Sequence, residues 1–389
     1  MPTYQRADVV FERGQGSHVW DTAGRRYLDF TSGIAVNALG HAHPYLVEKL
    51  TEQASKLWHV SNLFRVAGQE SLARRLTDAT FADTVFFTNS GVEAWECGIK
   101  LVRKYHSATG NPQKTRFIVA GGAFHGRTMT AIAASKQDKM VGGFGPLLDA
   151  FDQVSFDNLN ELRAAITAET AAVLVEPILG EGGIRVPQKG YLKALRETCD
   201  EFGLLLFLDE IQTGIGRTGR LFAYEAEAIE PDVMCIAKGI GGGFPMGACL
   251  ATEKAAQGMV AGTHGSTFGG NPLAMAVGNA VLDIVLQPAF LERVASAGRA
   301  FKAELEALVR RHPAVFSEAR GEGLLLGLKC VSANTDMAAR LRAAGMLVPS
   351  AAENVIRIFP PLTATDEDLA QGIAILEKVA IETAAEMPA

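Results

Sequence analysis

Two apolar segments that each end in a charged residue decide the fold: LLLFLDE at 204–210 and DVMCIAKG at 232–239. The first ends in the carboxylates of Asp209 and Glu210, and the second ends in Lys238, followed by a glycine-rich loop. A lysine at the end of a buried strand is costly unless its amine is neutralised or used in chemistry. The separation leaves room for a connection, so the segments are predicted to be neighbouring strands of an α/β sheet.

These two strand ends predict chemistry with pyridoxal 5'-phosphate. Ligands bind at the carboxyl ends of the strands in an α/β sheet, and Asp209 and Lys238 both occupy such ends. A lysine can form a Schiff base with this cofactor, and an aspartate can hold the proton of its pyridinium nitrogen. Taken singly, the lysine could also be an ordinary surface residue, and the aspartate could simply end a strand or cap a helix.

The surrounding sequence continues the same pattern. From about residue 68 to 280, short apolar strands alternate with amphipathic helices, one of them predicted at 92–106. Continuously apolar strands are typical of a mainly parallel sheet that helices cover on both faces. The predicted strands are Thr84–Thr88, Arg116–Ala120, Ala172–Glu176, Leu204–Asp209, Val233–Ala237 and Gly247–Ala251.

The chain is predicted to have a large α/β domain and a smaller α+β domain. Residues 1–67 would form an N-terminal hairpin and a linking segment, 68–284 the large cofactor-binding domain, and 285–389 the small domain. The predicted hairpin spans 11–30 and has a polar, glycine-containing turn. The elements predicted after residue 285 are a helix at Leu291–Arg311, strands at Leu324–Cys330 and Asn354–Phe359, and a last helix that begins at Thr365 with a capping-box-like pattern.

Composition narrows the class of protein. The 389 residues are 48% hydrophobic and carry 37 Lys+Arg against 43 Asp+Glu, a net charge of −6 without a long basic run. This balance argues against a nucleic-acid or membrane-surface partner. The five cysteines lack metal-ligand spacing, so no metal site is expected and the thiols are expected to be reduced. The sequence shows no signal-peptide pattern and no apolar run of about 18 residues, and a cytoplasmic protein is expected.

Two glycine-bearing loops are candidates for phosphate binding. The segment TNSGVEA at 88–94 reads as a strand end, a polar turn and a helix start, which together offer free N–H groups to an anion. The loop GSTFGGNP at 265–272 offers further donors, although each loop could equally be an ordinary turn. The run GIGRTG at 214–219 matches a dinucleotide fingerprint in letters only, because no helical pattern opens out of its glycines.

With these features assembled, the chain resembles the class III pyridoxal-phosphate-dependent aminotransferases over nearly its whole length. This resemblance implies the fold-type I architecture, and the segments SNL at 61–63 and IAVNALGH at 34–41 point to the branch that acts on N-acetylornithine. The motifs that carry the resemblance are YLDF at 27–30, GIAVNALGH at 33–41, TNSG at 88–91, FHGR at 124–127, EPILGEGG at 176–183, LDEIQTGIGR at 208–217 and KG at 238–239.

The resemblance implies roles around the cofactor. Lys238 would bind it covalently and later carry the proton, and Asp209 would keep its ring nitrogen protonated. Thr267 would reach the phosphate held by the neighbouring subunit, which implies a homodimer with active sites at the subunit interface. The other implied contacts are a ring-stacking side chain, a partner of the phenolic oxygen and a phosphate loop: Phe124, Gln212, and Ser90 with Gly91 and Val92.

The resemblance also implies how substrates would be held. Arg127 would clamp the α-carboxylate of an acylated ω-amino substrate, and Arg357 would clamp glutamate or 2-oxoglutarate, because a guanidinium fork fits a carboxylate. Glu181 would pair with Arg357 while the ω-amine is bound, and Asn62 is a further expected substrate contact. Without the resemblance, each arginine would be read as a surface ion pair. Trp95 replaces a smaller residue of many relatives and is expected to pack against neighbours of its helix.

The expected activity is therefore a two-step amino transfer from N2-acetyl-L-ornithine to 2-oxoglutarate. Alternatives within the class are enzymes that act on succinylornithine, succinyldiaminopimelate, ornithine or 4-aminobutyrate. A protein that binds the cofactor without catalysis is an alternative of a different kind.

Overall fold

The computed structural model describes residues 1–386; residues 387–389, the end of the predicted small domain, lie outside the described residues. In residues 1–386 the strands β1 to β15 are, in chain order, Phe11–Gln15, His18–Asp21, Arg26–Asp29, Thr84–Thr88, Arg116–Ala120, Phe151–Val154, Thr170–Val175, Leu205–Asp209, Val233–Ile236, Gly247–Ala251, Phe316–Glu322, Leu325–Cys330, Met346–Leu347, Ser350–Ala351 and Val355–Ile358.

The same residues 1–386 contain helices α1 to α13 and three short 3-10 helices. The α-helices are Ser32–Ala35, Pro44–Ala54, Ala67–Asp78, Gly91–Ala108, Met129–Ser135, Asp138–Val141, Leu159–Ala164, Tyr191–Phe202, Glu253–Ala256, Pro272–Val285, Pro288–Arg311, Asn334–Ala343 and Asp366–Ala385. The 3-10 helices are Ala223–Glu227, Lys238–Gly241 and Ala352–Asn354.

A seven-stranded sheet forms the centre of the molecule, in the order β4-β10-β9-β8-β7-β5-β6. The pairs from β9 through β6 are parallel, and β10 runs antiparallel to both of its neighbours. The prediction of an α/β fold with a mainly parallel sheet is confirmed. Strand β6 was missed because it is an edge strand in which only Phe151 and Val154 are buried, so its apolar signal is weak.

The central strands are apolar because both faces of the sheet are covered. In β8, Leu206 and Leu208 belong to one buried cluster, whereas Leu205 and Phe207 belong to the cluster on the opposite face. Burying each such side chain contributes roughly 1.5–3 kcal/mol. Helix α4 covers the second face so closely that a Cβ on Gly98 would lie 2.2 Å from the Phe207 ring.

The two smaller sheets connect the chain termini. Strands β2 and β3 form the predicted N-terminal hairpin, β1 adds to it, and β13 pairs in parallel with β3. The N-terminal sheet is thus continuous with the C-terminal part of the chain, whose own sheet has the order β11-β12-β15-β14. Helix α13 begins with the capping box of Thr365 and Asp368. The predicted domain boundaries stay a prediction.

Among residues 1–386, no single helix is long and apolar enough to cross a membrane; Pro272–Val285 and Pro288–Arg311 meet that test only as a pair bent by 73°. Over the same described range, no group of three or more His, Cys, Asp or Glu side chains could hold a metal ion.

Candidate active site

A cavity of about 330 Å³ opens at the carboxyl ends of the parallel strands. Eight of the predicted site residues line it: Ser90, Gly91, Val92, Phe124, Glu181, Asp209, Gln212 and Lys238. They come from the loops after β4, β5 and β7, from the end of β8 and from the loop after β9. Parallel strands bring these ends together at one edge of the sheet, which is why residues far apart in sequence share one cavity.

Lys238 is held in an unusual backbone conformation at this edge. It follows β9, begins a 3-10 helix and has a φ of 46°, in the left-handed region that non-glycine residues rarely adopt. Its side chain keeps some exposure through the cavity mouth, yet protein surrounds it. Burial lowers the pKa of its amine, with Glu181 opposing that shift and Arg357 adding to it. A less basic lysine is better suited to act as a nucleophile and proton carrier near neutral pH.

Asp209 is fixed by a buried histidine. The Nδ1 atom of His125 lies 2.7 Å from Asp209 Oδ2, and the backbone N–H of Ile211 donates to Oδ1 at 3.1 Å. The side chains of His125 and Asp209 are only 1% and 3% exposed. His125 was given no role from the sequence, although it stands in the FHGR motif at 124–127. Its contact fixes the orientation of the Asp209 carboxyl group beneath the cavity.

The unusual tryptophan of α4 packs directly against this histidine. Trp95 is fully buried, and its ring stacks on His125 with a centroid separation of 5.4 Å and an interplanar angle of 16°. Phe151 lies on the indole at 6.0 Å. The expected packing of Trp95 against neighbours of its helix therefore includes a residue in contact with Asp209.

A second buried carboxylate lies next to Asp209. Glu176 directly follows β7, and it accepts hydrogen bonds from the backbone N–H groups of Phe124 at 2.8 Å and Gly180 at 3.0 Å. Burial and the charge of Asp209 raise the pKa of Glu176 to about 7, while His125 and the two N–H groups act in the opposite direction. The sequence reasoning had placed Glu176 only in a strand and in a family motif.

The walls of the cavity offer an aromatic face and a carboxamide. Phe124 and Ile211 both line it, and Ile211, like His125 and Glu176, has no role predicted from the sequence. A Cβ on Gly180 would lie 1.8 Å from Gln212 Oε1, so only glycine admits the carboxamide there. Gln212 Oε1 is buried and has no hydrogen-bond partner among the described residues. The Gln212 side chain is thus placed to interact with a polar group of a ligand.

The turn before α4 offers free N–H groups that could bind an anion. Ser90 is the N-cap of this 18-residue helix, and Gly91 and Val92 begin its first turn, where N–H groups have no partner within the helix. A Cβ on Gly91 would meet Ile211 at 2.8 Å, which accounts for the glycine. The Ser90 hydroxyl donates to Glu93 Oε2 at 3.1 Å in this structure. A phosphate at this turn would compete with Glu93 for that hydroxyl.

Glu181 and Arg357 form an ion pair at the cavity. The Nη1 atom of Arg357 lies 2.5 Å from Glu181 Oε1, and its Nη2 atom donates to the Ser350 carbonyl at 3.1 Å. Arg357 is 2% exposed, whereas Glu181 is 31% exposed and lines the cavity. Movement of Glu181 would therefore uncover a buried cation.

Besides Arg357, which borders the cavity only through Glu181, three predicted residues lie outside it. Arg127 is exposed, with its guanidinium carbon 5.5 Å from the centroid of the Phe124 ring. Asn62 donates to the carbonyls of Ser266 and Gly269, both at 2.9 Å, and Thr267 is exposed on that same loop. The roles predicted for these three residues stay predictions.

The residues of the cavity fit pyridoxal 5'-phosphate. Its phosphate would lie at the start of α4, its ring against Phe124 and Ile211, its pyridine nitrogen at Asp209, and its aldehyde carbon at Lys238. The orphaned Gln212 Oε1 atom shows that one further polar group of the site is free to meet a ligand. These assignments follow from the chemistry of each group.

Comparisons with known proteins agree with the cavity chemistry. The sequence model of the class-III aminotransferase family matches residues 2–380. An acetylornithine aminotransferase of Agrobacterium fabrum is 57% identical over 378 residues, covering 97% of this chain and 95% of that protein.

Solved structures are similar over the whole chain. An N-acetylornithine aminotransferase of Stenotrophomonas maltophilia matches with a TM-score of 0.86 and 39% identity, covering 99% of this chain and 98% of that one. An ornithine aminotransferase of Toxoplasma gondii, whose active site is partly occupied by pyridoxal phosphate, matches with a TM-score of 0.95 and 32% identity, covering 99% and 93%.

Proposed function

The chain belongs to the class-III aminotransferase family, and we propose that it transfers the δ-amino group of N2-acetyl-L-ornithine to 2-oxoglutarate. The products are N-acetyl-L-glutamate 5-semialdehyde and L-glutamate, a reaction of arginine biosynthesis. The cofactor is pyridoxal 5'-phosphate. The 57% identity with the Agrobacterium fabrum acetylornithine aminotransferase supports the choice of amine.

The observation that carries the proposal is the Glu181–Arg357 pair beside Lys238. An enzyme of this reaction must place the carbon that bears the ω-amine in one half-reaction, and the α-carbon of 2-oxoglutarate in the other, at the same cofactor. With Arg357 covered by Glu181, the pocket has no free cation there and suits an ω-amine. Once Glu181 withdraws, Arg357 can bind a carboxylate of the dicarboxylic substrate bidentately. Arg127, at the edge of Phe124, is the proposed clamp for the α-carboxylate of the acetylated amine.

The side chains of the site divide the proton chemistry among them. When bound, pyridoxal phosphate supplies an electrophilic carbon and a ring that accepts the electron pair of the breaking substrate C–H bond. Asp209, held by His125, would retain the proton on the ring nitrogen. Lys238, whose pKa burial lowers, would move the proton between substrate and cofactor carbons as a general acid and base. Phe124 and Gln212 would fix the ring plane and the phenolic oxygen.

Absorbance and turnover of a lysine variant test the enzyme assignment. The purified protein should be yellow and should transaminate, and Lys238→Ala should lose both the absorbance of the lysine-bound cofactor and turnover. A colourless wild-type protein, or an absorbance band that survives Lys238→Ala, would contradict the assignment and favour a non-catalytic protein.

Ornithine is the second candidate amine, because the Toxoplasma gondii ornithine aminotransferase matches with a TM-score of 0.95. The two proposals differ only in the acyl group at the α-nitrogen. Values of kcat/KM should be higher for acetylornithine than for ornithine, succinylornithine, succinyldiaminopimelate and 4-aminobutyrate. A higher value for any of the others would replace acetylornithine as the substrate.

We further propose that the active enzyme is a homodimer. Segments 57–64 and 266–269 touch through Asn62, and His59 lies 5.1 Å from the Phe268 ring. They expose a cluster of large apolar side chains, which on a protein surface marks an interaction site. Its members, with their exposed fractions, are Leu57 (47%), Trp58 (65%), Leu63 (88%), Phe64 (64%) and Phe268 (58%).

The mass in solution tests the dimer. Light scattering should give twice the 41.4 kDa of one chain, and Leu63→Glu should reduce that mass because it buries a charge at the interface. Ile381→Glu is the control, since Ile381 is 57% exposed on α13. A wild-type monomer would contradict the proposal. We also propose a cytoplasmic location, supported by the five cysteines, which within residues 1–386 are buried and unpaired.

A further inference from the structure

We propose that Glu176 is a positioning residue, whose carboxylate ties the loop that carries Phe124 to the loop that carries Glu181. This inference rests on the proposed function, since both loops border the transamination cavity. Glu176 would act through these loops rather than on a substrate.

The contacts of Glu176 are divided between the two loops. Its Oε1 atom accepts from the Phe124 N–H at 2.8 Å, and its Oε2 atom accepts from the Gly180 N–H at 3.0 Å. Glu176 is 5% exposed and its contact with Gly180 is buried, so the Gly180 N–H could not turn to bulk water if the carboxylate were lost. A buried donor without a partner costs about 1–3 kcal/mol. Because Glu176 directly follows β7, it holds both loops in a fixed position relative to a strand of the central sheet.

Both loops carry groups that must keep their relative positions. The first presents Phe124 to the ring face and His125 to Asp209. The second presents Glu181 to Arg357, and its Gly180 packs against the Gln212 carboxamide so closely that no Cβ fits between them. A shift of one loop against the other would change the distance between the stacked ring and the substrate-selecting pair. Amino transfer needs these two loops in the correct relative position for each substrate.

A carboxylate suits this task better than its near-isosteres. Glutamine has one acceptor oxygen, so its amide nitrogen would face one of the two N–H donors. Aspartate keeps two oxygens but is one methylene shorter, so it cannot reach both loops from the same backbone position. Glu210 offers a matched control: it is also fully buried and accepts a backbone N–H, that of Tyr224, but contacts neither loop.

Hydrogen exchange of the holoenzyme tests whether Glu176 holds the two loops together, and it does not depend on activity. Peptides covering 121–128 and 178–184 contain the two N–H groups. In Glu176→Gln and in Glu176→Asp, at least one of these peptides should exchange about tenfold faster, corresponding to a loss of about 1.4 kcal/mol. Glu210→Gln should leave both unchanged. Unaltered exchange in both Glu176 variants, or equal acceleration in Glu210→Gln, overturns the proposal.

Single-turnover kinetics provide the functional readout. Glu176→Gln should slow both half-reactions by similar factors, on the order of 10-fold to 100-fold, because both need the two loops in register. Glu181→Gln should instead change the ratio of the two half-reactions. A Glu176→Gln protein that loses only one half-reaction, or neither, contradicts the proposal. A wild-type protein with no transaminase activity would refute the proposed function, while the exchange result would still decide the role of Glu176.

Discussion

The floor and the rim of the cavity differ in how far a single chain encloses their residues. We define the floor as the buried polar side chains at the strand ends: His125, Glu176, Asp209 and Lys238. The rim comprises Asn62, Arg127 and Thr267, which lie at the surface beside exposed apolar side chains. The floor residues are held by contacts within the same chain, such as His125 with Asp209. The rim residues have no such enclosure.

The difference indicates where each part of the function resides. Charges buried in the floor are oriented by a rigid sheet, and preorganised charged groups of this kind usually lower the activation barrier more than any other feature of an active site. The rim residues are open to solvent in the single chain, and the proposed second subunit would cover them. Changes to the floor should therefore slow the chemical steps, whereas changes to the rim should weaken binding.

After Lys238→Ala, which should lose turnover altogether, the largest effect is expected for Asp209→Asn. The variant removes the anion that pairs with His125 and that would hold the proton on the ring nitrogen. We expect kcat to fall on the order of 10³-fold, the loss seen when a preorganised electrostatic group is removed. Steady-state kinetics measure it. Asp232→Asn is the control, because Asp232 also pairs with a base, the half-buried Arg196, but at the opposite end of β9. A loss below tenfold would show that the floor is not the source of the chemistry.

Arg357→Ala should come next, because Arg357 lies between floor and rim. It is 2% exposed like the floor, yet its partner Glu181 faces the cavity. Removing one partner of a buried ion pair costs roughly 2–5 kcal/mol. We expect kcat/KM for 2-oxoglutarate to fall by about 10²-fold, with a smaller effect on the acetylornithine half-reaction.

Separate measurement of the two half-reactions decides this prediction. Arg116→Ala is the matched control, since Arg116 pairs with Asp152 at the start of β5, the end away from the cavity, and should leave both halves unchanged. Equal damage to both half-reactions in Arg357→Ala would rule out the exchange between Glu181 and the dicarboxylic substrate.

The contrast between floor and rim also explains what the sequence could predict. Lys238 and Asp209 were recognisable because each ends an apolar run, and burial of a charge is a strong signal in a linear pattern. His125 and Glu176 were not assigned roles, because their importance arises from contacts with Asp209, Phe124 and Gly180 that only the folded sheet brings together.

The rim residues and the strands at the edges of the fold were harder to predict from the sequence, for a related reason. Strand β6 has only two buried residues, so its pattern does not differ from a loop. The pairing of β13 with β3 joins residues more than 300 positions apart, and no local pattern encodes it. Asn62 and Thr267 were assigned through the resemblance alone.

Thr267→Ala probes the rim and should have a moderate effect. If the hydroxyl of Thr267 reaches the phosphate across the proposed subunit interface, its loss removes one hydrogen bond to a charged group, about 1.5 kcal/mol. The dissociation constant of the cofactor should rise by about tenfold, while kcat at saturating cofactor stays near that of the wild type. Equilibrium titration of the apoprotein measures it. Thr263→Ala is the control, because the Thr263 hydroxyl donates to the Val260 carbonyl. A large fall in kcat at saturating cofactor would place Thr267 with the floor.

Glu210→Gln should have the smallest effect on activity, and it sharpens the comparison with a buried carboxyl group directly beside the floor. Glu210 adjoins Asp209 but turns into the core, where the Tyr224 N–H and the Thr213 hydroxyl donate to it. Burial raises its pKa from 4.5 to about 7. Because the folded state binds the proton more tightly than the unfolded state, this carboxyl stabilises the fold fully below pH 4.5, and the contribution is lost as the pH rises towards 7.

The loss over that window is on the order of 3 kcal/mol at 1.36 kcal/mol per pKa unit. Glutamine does not titrate, and its amide can satisfy the same two partners. The stability of Glu210→Gln should therefore depend less on pH than that of the wild type between pH 4.5 and 7. Thermal unfolding of both apoproteins across this range measures the difference. As the pH rises, the unfolding midpoint of the variant should increase relative to that of the wild type. Turnover should be unchanged. A constant gap would mean that Glu210 is ionised in the folded core, and that burial beside the floor does not suffice to keep a carboxyl neutral.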